Sequence, residues 1–278
     1  MQELAQFQES VGLWRMALAT PTLPPATTTN HYLVGQKCAV LVDPSAPARL
    51  DQEKLVALLA EAKEQNVQVQ ALFLTHHHRD HAGAAAQMQE RTGLPIWAHP
   101  LTAELLPELK IDRLVQDQEI VAENADGTPW IALHTPGHAP GHLVLWHERT
   151  AGMVAGDMVA GEGTILVDPK DGNMGQYLAS LEKMAQKQPK FLAPAHGHVL
   201  QDGVKVLQFY VQHRLAREQK VHDALPKEWT PADALLPVAY GDVSRLAWPI
   251  ALRSMQSHLL HLAELGQAET DGKHWRKS

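Results

Sequence analysis

The sequence predicts a fold of mixed α and β structure, a sandwich of short strands covered by helices, followed by a smaller helical module. Three observations support this prediction. Short apolar runs of strand length alternate with segments of helical period up to Val199. Histidine-rich stretches follow directly after several of these strands, as expected of functional loops held on a rigid scaffold. Beyond Val199 the pattern becomes predominantly helical.

The larger part of the chain is predicted element by element. KCAVLVD reads as a buried strand, and leucines then recur at helical spacing from Leu55 to Ala62. A small-residue helix is predicted over 82–91, ended by Gly93 and Pro95, and another over 174–187. The predicted strands are one before Thr20 and those at 31–34, 37–43, 67–75, 95–98, 130–134, 143–146, 152–155 and 191–193.

The C-terminal part shows the element order of a winged helix. PADALLPVAYG predicts a short helix that ends at Gly241, and a longer apolar-faced helix ends at Gly266. The last segment predicts a two-stranded hairpin that turns at Asp271–Gly272. We therefore predict two domains, 1–205 and 206–278.

Composition and charge limit the kinds of protein this chain can be. It has 278 residues, 45% hydrophobic and 20% charged, which is ordinary for a globular protein. No stretch approaches the roughly 18 uninterrupted apolar residues of a membrane span. The single cysteine, Cys38, lies in an apolar run and suits a reducing compartment. Because Glu3 and Glu9 lie where a signal peptide would be basic and then apolar, we expect a cytoplasmic protein with no membrane partner.

The charge balance gives no general attraction for polyanions. The formal net charge is -7, and residues 206–278 carry nine basic and eight acidic side chains. A winged helix that reads a nucleic-acid groove usually shows a basic face, whereas the longer C-terminal helix has Arg253 and little else. A structural lid or a dimer contact is the favoured role of this domain.

The strongest functional motif is Thr75-His-His-His-Arg-Asp-His81. Residues two apart in an extended loop point the same way, so His76 and His78 can bind one ion. The adjacent Asp80 and His81 can turn to a second ion. Imidazole and carboxylate groups are ligands that Zn²⁺ accepts, so the motif predicts a metal site rather than a solvated polar loop.

Three later segments strengthen the prediction of a metal centre. TPGHAPGH supplies His138 and His142, MVAGDM supplies Asp157, and FLAPAHGH supplies His196. Each segment follows a predicted strand, which a random scatter of the 17 histidines would not do.

These motifs, in this order, resemble the metallo-β-lactamase superfamily. Over residues 25–278 the chain is similar to the lactamase-beta-like group that adds a C-terminal winged helix. The resemblance implies an α+β fold, the four-layer αββα sandwich, with the metals at strand ends, and it includes the pair His213–Arg214 as a contact between the domains. It assigns His76, His78 and His138 to the first metal, Asp80, His81 and His196 to the second, and Asp157 to a bridge between them.

This ligand set implies hydrolysis. A bound metal ion with an open position lowers the pKa of coordinated water from 15.7 to about 7. We therefore predict a binuclear hydrolase that uses a metal-bridging hydroxide, with Asp80 and Asp157 as catalytic residues. His142 is a candidate proton donor or a residue that supports the ligands. Two Zn²⁺ ions are expected, and iron and manganese suit the same ligands.

Three functions fit these residues. The first is hydrolysis of a thioester, ester or lactone of a small molecule, as in glyoxalase II, whose metal site resembles this one. The second is endoribonuclease-like cleavage of single-stranded RNA, and the third is a winged-helix nucleic-acid-binding protein with a structural metal site. The charge balance favours the first over RNA as a partner, and the apolar tail is compatible with a homodimer. Candidate pocket residues are Asn30, His31, Trp97, Glu162 and Tyr177.

Overall fold

The computed structural model describes residues 11–278, which form fifteen β-strands and eight α-helices. Glu3 and Glu9, on which the expectation of no signal peptide rests, lie outside the described residues. Within 11–278, no helix is both long and apolar enough to span a membrane. The strands are β1 Leu13–Ala19, β2 Thr28–Val34, β3 Cys38–Val42, β4 Gln68–Phe73, β5 Ile96–Ala98, β6 Arg113–Leu114, β7 Ile120–Glu123, β8 Pro129–His134, β9 Leu143–His147, β10 Gly152–Gly156, β11 Phe191–Pro194, β12 Leu200–Gln201, β13 Thr230–Pro231, β14 Ala268–Thr270 and β15 His274–Lys277. The helices are α1 Arg49–Glu64, α2 Arg79–Ala82, α3 Ala85–Thr92, α4 Pro100–Glu104, α5 Met174–Gln186, α6 Gly203–Ala224, α7 Ala232–Ala239 and α8 Trp248–Glu264.

Twelve strands form two halves of a sheet that meet where Cys38 of β3 pairs with Glu123 of β7. In the first half, β1, β2 and β3 are antiparallel neighbours, and β3 to β6 run parallel. In the second half, β7 to β10 are antiparallel and β11 lies parallel to β10. The remaining three strands form a separate small sheet in the order β13-β15-β14.

Three apolar clusters separate four layers of structure. The strands alternate between two faces, so Val40 and Val42 of β3 enter the cluster between the half-sheets while Leu41 points to the outer one. The outer cluster of the first half is covered by α1 and α3, through residues such as Leu55 and Met88. That of the second half is covered by α5 and α6. The predicted four-layer αββα sandwich is therefore confirmed.

The helix predicted over 82–91 is wrong at its start. Two helices occupy this region, and α2 begins at Arg79, inside the histidine motif, where the backbone carbonyl of His78 accepts from the N–H groups of His81 and Ala82. His78 itself is extended, and the motif is helical from Arg79 onward. This change of backbone brings Asp80 and His81 together with His196. The two-residue strands β6, β12 and β13 were not predicted because they are too short to show a period.

The C-terminal part has the winged-helix order of elements. Helices α7 and α8 are followed by a β14–β15 hairpin whose turn contains Gly272 at a φ of 92°. Helix α6 connects the two parts, since Leu207 packs into the outer cluster of the second half-sheet and Val221 into the C-terminal core. The predicted division at 205/206 falls within this continuous helix and stays a prediction.

Candidate metal centre

Four loops bring the predicted ligands to one end of the sandwich. They follow β4, β8, β10 and β11, so both half-sheets contribute. The structure places all seven predicted residues within one cluster, in which several groups of three offer their ligand atoms within 4.8 Å of one another. The members of the cluster are His76, His78, Asp80, His81, His138, Asp157 and His196.

The first group consists of His76, His78 and His138. Nε2 of His76 lies 3.0 Å from Nδ1 of His78 and 3.2 Å from Nε2 of His138, and the last two atoms are 3.0 Å apart. Three nitrogens that each bind a tetrahedral Zn²⁺ at 2.0–2.1 Å would be separated by about 3.3 Å. The spacing of the three imidazoles therefore fits one such ion.

The second group consists of Asp80, His81 and His196. Asp80 Oδ2 lies 3.5 Å from His196 Nε2 and 3.9 Å from His81 Nε2. Asp157 lies between the groups, since its Oδ1 is 3.4 Å from His196 Nε2 while its Oδ2 is 3.5 Å from His138 Nε2. Among the described residues, His81 Nε2 and Asp157 Oδ1 have no hydrogen-bond partner although both are buried. Such unpaired buried atoms are costly, and a cation between them fits the donor set.

Every imidazole of the centre donates its other ring N–H to a fixed acceptor. Such partners orient the ring and determine which nitrogen carries the lone pair. Two of the acceptors are carboxylates that the sequence did not identify, Asp43 and Asp171. The N–H acceptors are Thr75 Oγ1 for His76, Asp171 for His78, Asp43 for His81, the Leu166 carbonyl for His138 and the Thr28 carbonyl for His196.

The two groups differ in their electrostatics. Burial lowers the pKa of His138 to about 4, against the opposing effect of Asp157, and burial together with His81 lowers that of His76. In the second group the effect of burial on His196 is outweighed by Asp157 and Asp80, which raise its pKa to about 10. His76 and His138 therefore offer neutral imidazoles, the form that binds metal, whereas His81 and His196 hold protons that a cation would displace.

The imidazole of His142 holds the backbone of Asp157 in place. Its ring is fully buried, Nδ1 bonds the hydroxyl of Thr135 at 2.9 Å, and Nε2 accepts the backbone N–H of Asp157 at 3.0 Å. Burial, together with His138, lowers the pKa of His142 well below its usual range. Both ring nitrogens are engaged, so of the two roles left open by the sequence the geometry favours support over proton donation.

Gly156 gives a test of this support. It has a φ of 50°, and a Cβ atom there would lie 2.5 Å from Nε2 of His142. We expect Gly156→Ala to reduce the free energy of unfolding by about 1–3 kcal/mol from backbone strain, and to lower kcat/KM about tenfold because the ring that holds Asp157 is displaced. Chemical denaturation and steady-state kinetics measure the two effects.

Gly266→Ala is the matched control, because Gly266 has a φ of 70° with nothing within 4 Å of its Cβ position. It should show the backbone cost without the loss of activity. Equal activity in the two variants would contradict the supporting role of His142.

A cleft of about 630 Å³ opens over the metal centre. Of the five pocket residues proposed from sequence, Glu162 lines it and the other four do not. Asn30 instead donates to the carbonyls of Pro194 and Gly197 and so holds the loop of His196. His77 lies beside the first group, with Nε2 2.9 Å from Asp171.

Comparison with known proteins agrees with this geometry. Residues 24–196 match the metallo-beta-lactamase superfamily, and residues 232–275 match the beta-lactamase associated winged helix domain. The Beta-lactamase-like protein 2 homologs of Drosophila melanogaster and Caenorhabditis elegans are 28% and 27% identical, over 91% and 85% of this chain and 88% and 78% of theirs.

Solved structures show the same fold. The family protein TTHA1429 from Thermus thermophilus aligns with a TM-score of 0.77 at 22% identity, covering 96% of this chain and 99% of that one. A beta-lactamase domain protein from Burkholderia ambifaria aligns with a TM-score of 0.82 at 19% identity, covering 98% and 93%. TTHA1623, solved in a di-iron-bound form, aligns with a TM-score of 0.52 at 27% identity, covering 66% and 94%.

Fold and site together define a metal-dependent hydrolase with a cluster of histidine and aspartate ligands. The chain belongs to the metallo-beta-lactamase superfamily and carries the winged-helix domain associated with it.

Proposed function

We propose that the protein binds two metal ions in this centre and hydrolyses an acyl bond of a small molecule, a thioester, ester or lactone. The observation that carries the proposal is the convergence of seven ligand residues beneath a cleft with an apolar wall. TTHA1623, which has been solved in a di-iron-bound form, supports a centre of two ions. Zn²⁺ is the expected metal, and iron or manganese suits the same nitrogen and oxygen ligands.

The two groups of residues would have different roles in metal binding. The first group would hold one ion, the second group the other, and the carboxylate of Asp157 would lie between them. When bound, the ions supply a water of lowered pKa and polarise the oxygen of the scissile bond. The anchored N–H of each imidazole fixes the ring before substrate arrives, so little reorganisation is needed during the reaction.

The lining of the cleft favours an acyl substrate over RNA. Part of the lining, here called the apolar wall, consists of apolar side chains, and among the described residues that line the cleft none is tryptophan, tyrosine or phenylalanine. Proteins that bind single-stranded nucleic acid stack its bases on aromatic side chains, and an apolar wall suits an acyl chain instead. Arg79 and Lys170 stand at the rim and suit an anionic group elsewhere on the substrate. The apolar residues of the wall are Leu23, Pro24, Pro25, Leu105 and Ile165.

The packing of α8 is also evidence against a winged helix that binds nucleic acid. Arg253, the basic residue of this helix, pairs with Asp168 of the catalytic part. Ser257 on the same helix donates to the carbonyl of Val167. A face engaged in this way does not present the free basic residues with which such domains contact phosphates.

A parallel assay of thioester, lactone and single-stranded RNA substrates tests the proposal. We expect chelator-sensitive turnover of an acyl substrate, with kcat/KM rising up to about fourfold for each methylene added to the acyl chain, because burying one CH₂ contributes about 0.8 kcal/mol. Leu23→Ser should flatten this dependence on chain length, since Leu23 lies in the apolar wall.

Leu50→Ser is the matched control, because Leu50 is exposed and lies outside the lining of the cleft. Chelator-sensitive cleavage of RNA without turnover of any acyl substrate would replace the proposal by the endonuclease function. Tight binding of nucleic acid with no turnover of any substrate would favour the third function, a winged-helix nucleic-acid-binding protein.

A further inference from the structure

A short segment, residues 165–168, lies between the metal centre and the C-terminal helices. It connects β10 to α5 and has no regular secondary structure. Three successive carbonyls of this segment accept hydrogen bonds, the outer two from the C-terminal helices and the middle one from the metal centre. Ile165 accepts from Arg214 of α6, Leu166 accepts from Nδ1 of His138 at 2.8 Å, and Val167 accepts from the hydroxyl of Ser257 of α8 at 2.7 Å. The carbonyl that orients a metal-binding imidazole is thus flanked by two that the C-terminal domain holds.

Arg214 is an unusual residue to find at this position. Its side chain is 4% exposed, packs over the ring of Tyr177, and has no carboxylate partner among the described residues. Burying an unpaired charge is costly, so an arginine in this environment needs its polar contacts satisfied by other groups. The Ile165 carbonyl is the acceptor in this structure. The contact is therefore a specific one between the two domains.

A second connection leads to His78. Arg253 of α8 pairs with the carboxylate of Asp168, whose backbone carbonyl accepts from the N–H groups of Asp171 and Gly172. The resulting turn presents Asp171, whose Oδ2 accepts from Nε2 of His78 at 2.8 Å. Both connections end on the first group. The outer partners of the second group, Asp43 and the Thr28 carbonyl, belong to the N-terminal half-sheet instead.

We propose that the C-terminal domain positions His78 and His138 through residues 165–171, and so sets the affinity of the first group for its ion while leaving the second group unaffected. Arg214 and Ser257 are then positioning residues, because they act through the segment and, unlike Arg253, do not line the cleft. The inference rests on the two-ion centre proposed above, but on no particular substrate. It gives the winged helix a role without nucleic acid.

Stepwise metal binding by the full chain tests this inference. Zn²⁺ affinities are measured by competition with a chromophoric chelator, and Co²⁺ absorption reports the geometry of each site. In the double variant Arg214→Met/Ser257→Ala we expect the affinity of the first group to fall about 10–100-fold, as when outer partners of metal ligands are lost. The affinity of the second group should stay unchanged. Arg214→Lys should recover part of the loss, because it keeps a donor near Ile165.

Leu259→Ala is the matched control, since Leu259 is buried in the C-terminal core on the same helix. It weakens the domain without removing a contact to the segment, so both affinities should hold. Unchanged affinities in a folded double variant, or an equal fall in both, would overturn the inference. If the unsubstituted protein binds fewer than two ions, the proposed two-ion centre itself fails. If the double variant does not fold, we expect the single variant Ser257→Ala to show a smaller fall in the affinity of the first group, with the affinity of the second group unchanged.

Discussion

Replacing Asp157 by asparagine is expected to lower kcat/KM by more than about 100-fold and to reduce the bound metal from two ions towards one per chain. The two carboxylate oxygens face different groups of ligands, so this side chain spans the centre. Burial would raise its pKa, but His81 and His196 outweigh burial and hold the pKa well below the usual range. Removing a partner of a metal ligand already costs 10–100-fold, and Asp157 would be a ligand itself.

Steady-state kinetics on the preferred acyl substrate and elemental analysis of the purified protein measure the two effects. Asp223→Asn is the control, because this carboxylate is 66% exposed and far from the cluster in the sequence. Near-normal activity of Asp157→Asn with two ions bound would contradict the bridging role of Asp157. Misfolding of the variant would show as a loss of helical circular dichroism in the same sample.

The convergence of the seven residues could be predicted because their signal is local. Each histidine cluster follows a strand, and the two-residue spacing of His76 and His78 shows on its own that both can face one ion. The supporting carboxylates show no such signal. Asp43 reaches His81 because β3 and β4 are parallel neighbours, with Val42 opposite Phe73, and this pairing is not visible in the sequence. Asp171 lies 93 residues from His78 along the chain.

The role proposed for the C-terminal domain could not be predicted from the sequence, for a related reason. The apolar face of α8 was predicted from Met255, Leu259 and Leu262, which do pack in the C-terminal core. The contact of Ser257 with the catalytic part goes to a backbone carbonyl, and a carbonyl is present at every residue. Sequence patterns can therefore show which face of a helix is buried, but not which loop the other face holds.

The second large effect is expected at Asp43, through stability and metal binding together. Its carboxylate accepts from the backbone N–H and the hydroxyl of Thr75 and from Nδ1 of His81, at 2.7, 2.7 and 2.8 Å, and it is 1% exposed. In Asp43→Asn an amide donor must face one of these donors. We expect the free energy of unfolding to fall by about 3 kcal/mol and the affinity of the second group to fall about 10–100-fold.

The choice of asparagine separates this effect from backbone strain. Asp43 has a φ of 51°, a conformation that asparagine also adopts readily. Asp126→Asn is a matched control, since Asp126 accepts from the N–H and hydroxyl of Thr128 but is exposed. Denaturation of chelator-treated and metal-loaded protein distinguishes the two contributions, because the stabilisation of the native state by bound metal rises with the logarithm of the affinity. If Asp43→Asn and Asp126→Asn lose equal stability and bind metal alike, the buried carboxylate does not support His81.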